Sequence, residues 1–279
     1  MDELAARLAG ALASRLSSDA FTLYLYGSAV LGDFRPGWSD LDILCLTAAP
    51  LSPDTAGRLV LLRQELAAEN EPGFRLFEGG ITSLAAFRDG RPALSVYWGT
   101  SGQRLADCYS IEPFSLLSLL DDGLLLHGED IRPCLRPPTQ DELRDAVASH
   151  LGTIRTYGVR PGRSIYGAGW MLDIARGLYT LRTGRILSKT AAGEWALREG
   201  LAPDPSVLER VLAIRKEPLL YRDDPGTLDF IATLGPAVAA FAVPVRQSRE
   251  KKRRSSFFMD GSCGRRQKER EGLRQEAPS

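Results

Sequence analysis

Histidine is scarce in this 279-residue chain: His127 and His150 are the only two. With so few, a zinc centre of the Cys/His kind is not expected. Cysteine is nearly as sparse. Cys45, Cys108, Cys134 and Cys263 are scattered without a Cys-x-x-Cys pair, which fits a reducing cytoplasm, with Cys45 a small core residue. No run of 18 or more apolar residues occurs, so no membrane span is expected. Asp2 and Glu3 stand where a secretory signal would carry basic residues. Net charge is lacking too, since 35 Lys/Arg balance 35 Asp/Glu.

That balance hides an asymmetry. Residues 246–279 hold 11 Lys/Arg and 5 Asp/Glu, leaving 24 and 30 in residues 1–245. An acidic body suits a cationic small substrate better than a nucleic acid, whose phosphates it would repel. The tail, with Lys251-Lys252-Arg253-Arg254 and Arg265-Arg266-Gln267-Lys268, has the composition of a disordered segment. The whole chain is 44% apolar and 25% charged, as in soluble globular proteins, with room for one large or two modest domains.

The chain is organised around Tyr26-Gly27-Ser28-Ala29-Val30-Leu31-Gly32 and Trp38-Ser39-Asp40-Leu41-Asp42-Ile43-Leu44. Before them, Phe21–Tyr26 is aromatic and β-branched enough for a buried strand. Gly27 permits backbone conformations closed to other residues and a close approach to phosphate, and Ser28 adds a hydroxyl. Asp40 and Asp42 are two apart at the head of an apolar run. On a strand both carboxylates point one way, with Cα atoms roughly 7 Å apart. Hard divalent cations choose such oxygen ligands, and two Mg²⁺ about 4 Å apart can clamp a phosphoryl group. An isolated Asp-x-Asp reads as a solvated edge. Placed just after Gly-Ser it reads as equipment for nucleotidyl transfer.

Leu4, Leu8, Leu12 and Leu16 predict an amphipathic helix over residues 2–17, and a second helix is expected over 54–68. After Glu71-Pro72-Gly73 the strand Phe74–Glu78 runs into Gly79-Gly80, which suggests a bulge or close backbone approach as much as a turn. Leu94–Trp98 reads as a strand entering a polar, Gly-rich loop. Trp98 is a candidate for the substrate pocket, where an aromatic face attracts a cation by up to about 2 kcal/mol. A short helix over 113–121 and an edge strand at 124–126 follow. Pro133, Pro137 and Pro138 mark a linker. Beyond it the texture is helical, over about 139–158, 164–183, 187–199, 205–217 and 226–241, with a capping box at Thr139 and Glu142.

Gly27-Ser28, Gly32 and Asp40-x-Asp42 resemble the nucleotidyltransferase motif of the DNA polymerase β-like superfamily. The fuller string around them, together with Ala175-Arg176-Gly177-Leu178-Tyr179 through Lys189-Thr190-Ala191-Ala192-Gly193-Glu194-Trp195, most resembles the aminoglycoside adenylyltransferases that modify streptomycin and spectinomycin. The resemblance spans about residues 20–200. It implies an α+β fold: an N-terminal nucleotidyltransferase domain at 1–135, with a short mixed sheet flanked by helices, and a C-terminal α-helical bundle at 139–243. Residues 246–279 have no counterpart in the pattern. ATP and two Mg²⁺ are implied in a cleft between the domains, with Asp40 and Asp42 on the metals and Gly27, Ser28 and Ser39 on the nucleotide. Glu78 matches a third carboxylate that acts as general base on the acceptor hydroxyl; Glu65, Glu69 and Glu71 are its competitors. Arg176 and Lys189 match cations for the triphosphate, and Lys189 at a helix start adds backbone amides to its charge.

One departure bears on the acceptor. Streptomycin-modifying relatives place carboxylates upstream of the matched Arg. Here Tyr157–Trp170 has Arg160 and Arg163 and no carboxylate, and the nearest acid is Asp173. The expectation is a cytoplasmic, monomeric enzyme that transfers AMP from ATP to a hydroxyl of a small molecule, an aminoglycoside being the first candidate. The alternatives are adenylylation of a protein or RNA, and a nucleotide-binding regulator without turnover.

Overall fold

The computed structural model describes residues 2–16, 20–99 and 102–242. The basic tail lies outside them. The chain divides into two compact units: Met1–Phe34 with Ser39–Pro137, and Arg35–Trp38 with the chain from Pro138 onward. Among the described residues no helix is long and apolar enough to cross a membrane.

The first unit is built on strands β1 (Phe21–Tyr26), β2 (Leu41–Thr47), β3 (Phe77–Ser83), β4 (Ser95–Gly99), β5 (Gly102–Ala106) and β6 (Leu124–His127). They form one mixed sheet in the order β5-β4-β3-β2-β1-β6. β2 and β3 run parallel, and the other neighbours are antiparallel. The parallel pair needs a crossover, which α2 (Pro53–Ala68) supplies. Its start is fixed by Pro53 and by Ser52, whose side chain accepts from the Thr55 amide. α2 and α1 (Asp2–Arg15) cover one sheet face. Leu8 and Leu12 are fully buried there against Leu23, Ile43, Cys45, Ile81 and Trp98, as the four-residue leucine spacing requires. Burial pushes the Cys45 thiol up and keeps it inert. α3 (Leu84–Asp89) and α4 (Pro113–Asp122) lie on the opposite face, over Tyr24, Tyr26, Leu44 and Leu46.

Of the two readings of Gly79-Gly80, close backbone approach holds and the turn does not, since the pair is the middle of β3. A Cβ on Gly79 would strike the Ile43 carbonyl at 1.8 Å, and one on Gly80 would enter the Tyr109 ring. The polar stretch after Trp98 turns back as β5. Leu105 is exposed, so this edge strand has no apolar period to read; backbone pairing with β4 makes it.

The second unit is helical: α5 (Gln140–Thr153), α6 (Gly169–Thr183), α7 (Lys189–Arg198), α8 (Pro205–Lys216), α9 (Pro218–Tyr221), α10 (Pro225–Ala232) and α11 (Gly235–Phe241). Both halves of the Thr139–Glu142 capping box are made. α5 continues as a π-helical turn over Ile154–Gly158. Gly184 ends α6 in the left-handed conformation, and the Ser188 side chain caps α7. The single helix expected over 226–241 is two, because Pro236 cannot donate to the preceding turn and instead starts α11. Val147, Leu151, Met171, Leu172, Ile174, Leu208, Val211 and Phe241 are buried in this unit. Residues 35–38 complete it. Trp38 meets the Tyr166 ring edge-on at 5.8 Å, and the Arg215 guanidinium lies 5.1 Å from the Trp38 ring centroid.

Candidate active site

Strand register lines up polar side chains across the face covered by α3 and α4. Tyr26 stands opposite Asp42, and Asp42 opposite Glu78. In the next strands Tyr97 is opposite Gly80 and Arg104. From there the Tyr97 phenol donates a hydrogen bond to the Glu78 carboxylate. Arg104 stacks over the Tyr97 ring, 4.1 Å from its centroid. Buried Arg63 of α2 donates to the carbonyls of Arg75 at 2.9 Å and Phe77 at 3.3 Å; burial lowers its pKa, and the charge of Glu78 opposes that shift. Burial, then Tyr109, Asp42 and Glu78, pushes the Tyr26 phenol well above its ordinary range, so it stays neutral beside the two carboxylates.

The chain leaves β1 through a one-turn 3-10 helix, Gly27–Ala29. Gly27 has φ +74, and a Cβ there would sit 2.1 Å from Asp42 Oδ2. The Asp42 carboxylate therefore lies directly against the bare α-carbon of Gly27. The Gly27 amide donates to Ser118 Oγ of α4 at 3.1 Å. Gly27 thus provides room for the Asp42 carboxylate. Ser28 is half-buried in the same turn, where its carbonyl accepts from the Asp33 amide at 3.0 Å. Ser39 is buried just ahead of β2, and Asp40 is the residue immediately before that strand.

Among the described residues no three His, Cys, Asp or Glu side chains gather closely enough to hold a metal by themselves. Mg²⁺ does not require such a cage. It commonly takes one or two carboxylates and completes its shell with water and substrate phosphates. The donors here are of that kind: a carboxylate oxygen over an open glycine, with Asp40 two residues earlier in the chain. The residues fit the ion.

Trp98 does not belong to this face. Side chains alternate along β4, so Tyr97 turns toward Glu78 and Trp98 toward α2. Trp98 is fully buried in the core, and its indole N–H donates to the Leu59 carbonyl at 3.1 Å. The expectation that it lines a substrate pocket is corrected accordingly.

In the second unit the predicted cations are not solvated surface charges. Asp173 of α6 is almost wholly buried, its side chain 7% exposed. Lys189 Nζ is 3.1 Å from its Oδ2, Arg176 Nη2 is 3.3 Å from its Oδ1, and His150 Nε2 of α5 is 3.8 Å from Oδ2. Burial alone would raise the Asp173 carboxyl. Lys189, His150 and Arg176 outweigh it and hold the carboxyl far below its usual range. Burial lowers Lys189; Asp173 opposes this, while Arg176 and buried Arg215 add to it. Two cations and an imidazole thus surround one carboxylate. Upstream, Arg163 is paired with Asp229 of α10.

Sequence reasoning missed Tyr97, Arg63, Arg104 and Arg215, and did not assign Asp173 to the cations. The Asp173–Arg176 spacing of three was a legible helical-pair signal. Strand parity could have separated Tyr97 from Trp98. Nothing local marks Arg63 or Arg215, which reach their places through tertiary packing.

Two family models match the chain. Residues 6–73 match the nucleotidyltransferase domain, and residues 135–217 match the C-terminal domain of aminoglycoside adenylyltransferase. The first segment contains Gly27, Asp40 and Asp42; the second contains Asp173, Arg176, Lys189 and Arg215. Among solved structures the chain is similar to spectinomycin adenyltransferase AAD(9) from Enterococcus faecialis, determined with ATP and spectinomycin. Identity is 16% and the TM-score 0.62, over 86% of this chain and 97% of that one. At this identity the likeness speaks to the fold. With the two matched segments in this order, the chain belongs to the aminoglycoside adenylyltransferase-like nucleotidyltransferases.

Proposed function

We propose that this protein transfers AMP from ATP to a hydroxyl of a small acceptor of the aminoglycoside antibiotic class. The observation that carries the reading is the Asp42–Glu78 register pair beside Gly27. The two family matches and the neighbour bound to ATP and spectinomycin support it. Asp40 and Asp42 are the residues proposed to hold Mg²⁺, two ions in the full assembly. Bound Mg²⁺ would neutralise phosphate charge. Ser28 and Ser39 are assigned to the nucleotide, and Arg176 and Lys189 to its triphosphate.

Glu78 is assigned as the base. It accepts the acceptor hydroxyl's proton as that oxygen attacks the α-phosphorus; the bond to the bridging oxygen breaks and pyrophosphate leaves. Tyr97 keeps one carboxylate oxygen oriented. The row of fixed groups makes catalysis mainly a matter of positioning and charge stabilisation. The test is pyrophosphate release from ATP and Mg²⁺ with a panel of aminoglycosides including spectinomycin and streptomycin, with Asp42→Asn as control. Release that needs one drug and Asp42 is expected. ATP binding without release on any drug would move the acceptor to a protein or RNA.

A further inference from the structure

The second unit holds a carboxylate that the proposed reaction does not use. Asp173 arises from the middle of α6, and four helices bring charged or titratable groups toward it or its partners: His150 from α5, Arg176 from α6 itself, Lys189 from α7 and Arg215 from α8. We infer that Asp173 is a positioning residue for ATP binding, a resident counter-anion that fixes the Lys189 and Arg176 side chains in the orientation in which they receive the triphosphate. This deepens the proposed function and rests on its assignment of those two cations.

The geometry argues for positioning rather than for simple neutralisation. The two carboxylate oxygens divide the work. Oδ1 faces Arg176 at 3.3 Å, while Oδ2 faces Lys189 at 3.1 Å and His150 at 3.8 Å. One short, almost fully buried side chain thus spaces two long flexible ones. Each of those side chains remains about a quarter exposed, 26% for Arg176 and 28% for Lys189. Arg215 is buried nearby, and its field acts on Lys189. Two long cations on one carboxylate leave a cationic surplus, which a polyanion such as a triphosphate satisfies.

Asp173 has a second effect, on the charge of Lys189. A buried ammonium beside two guanidinium groups tends to lose its proton. Guanidinium groups do not. Asp173 is the acid facing Lys189 that opposes the loss; the other groups facing it are Arg176 and Arg215, and His150 meets the same carboxylate oxygen as Lys189. Without Asp173 the affinity for ATP should depend on the protonation of Lys189, and so fall as pH rises.

The test is equilibrium binding of ATP to the full chain at about pH 7 and about pH 9. In the unaltered protein affinity should hold nearly level between these limits. Asp173→Asn should weaken binding about tenfold at the lower pH, the worth of one charge-assisted interaction, and by a further several-fold at the higher. Adding Lys189→Arg to Asp173→Asn should abolish that extra loss, because arginine keeps its charge. A merely structural carboxylate would not produce a pH dependence that arginine cancels. Binding by Asp173→Asn equal to the unaltered protein, or a loss level in pH and not altered by Lys189→Arg, would overturn the inference. If Asp173→Asn does not fold, Asp173→Glu serves. It retains the charge but shifts it by one methylene, so a several-fold loss of affinity without pH dependence is expected, and unchanged affinity overturns the positioning role. Lys189→Met and Arg176→Met separate the two levels of the argument. If neither weakens ATP binding, the triphosphate assignment fails and the inference with it. If both weaken it while Asp173→Asn does not, only the inference fails.

Discussion

Replacing Gly27 by alanine tests the heart of the first unit with a single methyl group. The φ of +74 is a left-handed conformation that costs a residue with a Cβ about 1–2 kcal/mol. The added Cβ would also lie 2.1 Å from Asp42 Oδ2 and 2.9 Å from its Cγ. To reach ordinary contact the carboxylate must swing by more than about 1 Å, which takes Asp42 off its preferred rotamer at about 0.5–1.5 kcal/mol. Together these give a loss of roughly 2–3 kcal/mol, or a fall in Tm of roughly 4–10 °C for a chain of this size. Displacement by 1 Å at a reacting centre costs about a hundredfold in rate. Pyrophosphate release by Gly27→Ala should therefore drop about a hundredfold, well beyond what its lost stability explains. Thermal unfolding of Gly27→Ala, Asp42→Ala and the double variant separates the two costs. The collision vanishes when Asp42 is shortened, so the pair should couple by about 1 kcal/mol while the φ penalty persists. Full activity in Gly27→Ala, or strict additivity in the cycle, would refute the claim that this glycine exists to admit the Asp42 carboxylate.

Asp42→Asn should abolish turnover with the melting temperature kept within a few degrees; wild-type release would sink the metal assignment. Tyr97→Phe removes the donor to Glu78 without changing the strand, and should lower kcat about tenfold or more with little change in the KM for ATP; equal losses in an Arg104→Ala control would point to packing instead. Trp98→Ala should cost about 3–5 kcal/mol of stability as a core truncation, seen by thermal unfolding, and a selective change in acceptor KM at unchanged stability would restore it to the pocket. Chelating divalent cations with EDTA should stop pyrophosphate release, and Mg²⁺ should restore it.

What could be read in advance follows the range of the physics involved. The Gly27-Ser28 turn, the strand that carries Asp42 and the leucine stripe of α1 are local patterns, and the structure shows each where spacing put it, with Asp40 falling just before the strand. Caps at Thr139, Gly184 and Ser188 were legible for the same reason. β5 was not, because an edge strand with an exposed Leu105 is made by its neighbour's backbone and not by its own side chains. Trp98 misled because a single aromatic carries no record of which strand face it takes. Asp173 misled in the opposite direction. As the nearest acid it invited comparison with drug-binding carboxylates, but two long cations converge on it, Arg176 from its own helix and Lys189 from α7.

Residues 35–38 give the second unit an unusual dependence on timing. Arg215 lies 177 positions after the Trp38 ring it packs over. At about 5–20 residues per second, a ribosome needs on the order of 10–35 s to make that stretch. For most of that interval the nascent chain carries a large indole whose ring partners Tyr166 and Arg215 are both still to be synthesised. Cutting the gene at the Pro137–Pro138 boundary would make the same condition permanent: one product with an orphaned tryptophan, the other with Arg215 stripped of its aromatic cover. A separately expressed helical unit would therefore need the tetrapeptide Arg35–Trp38 grafted back, or supplied in trans, to regain its native packing.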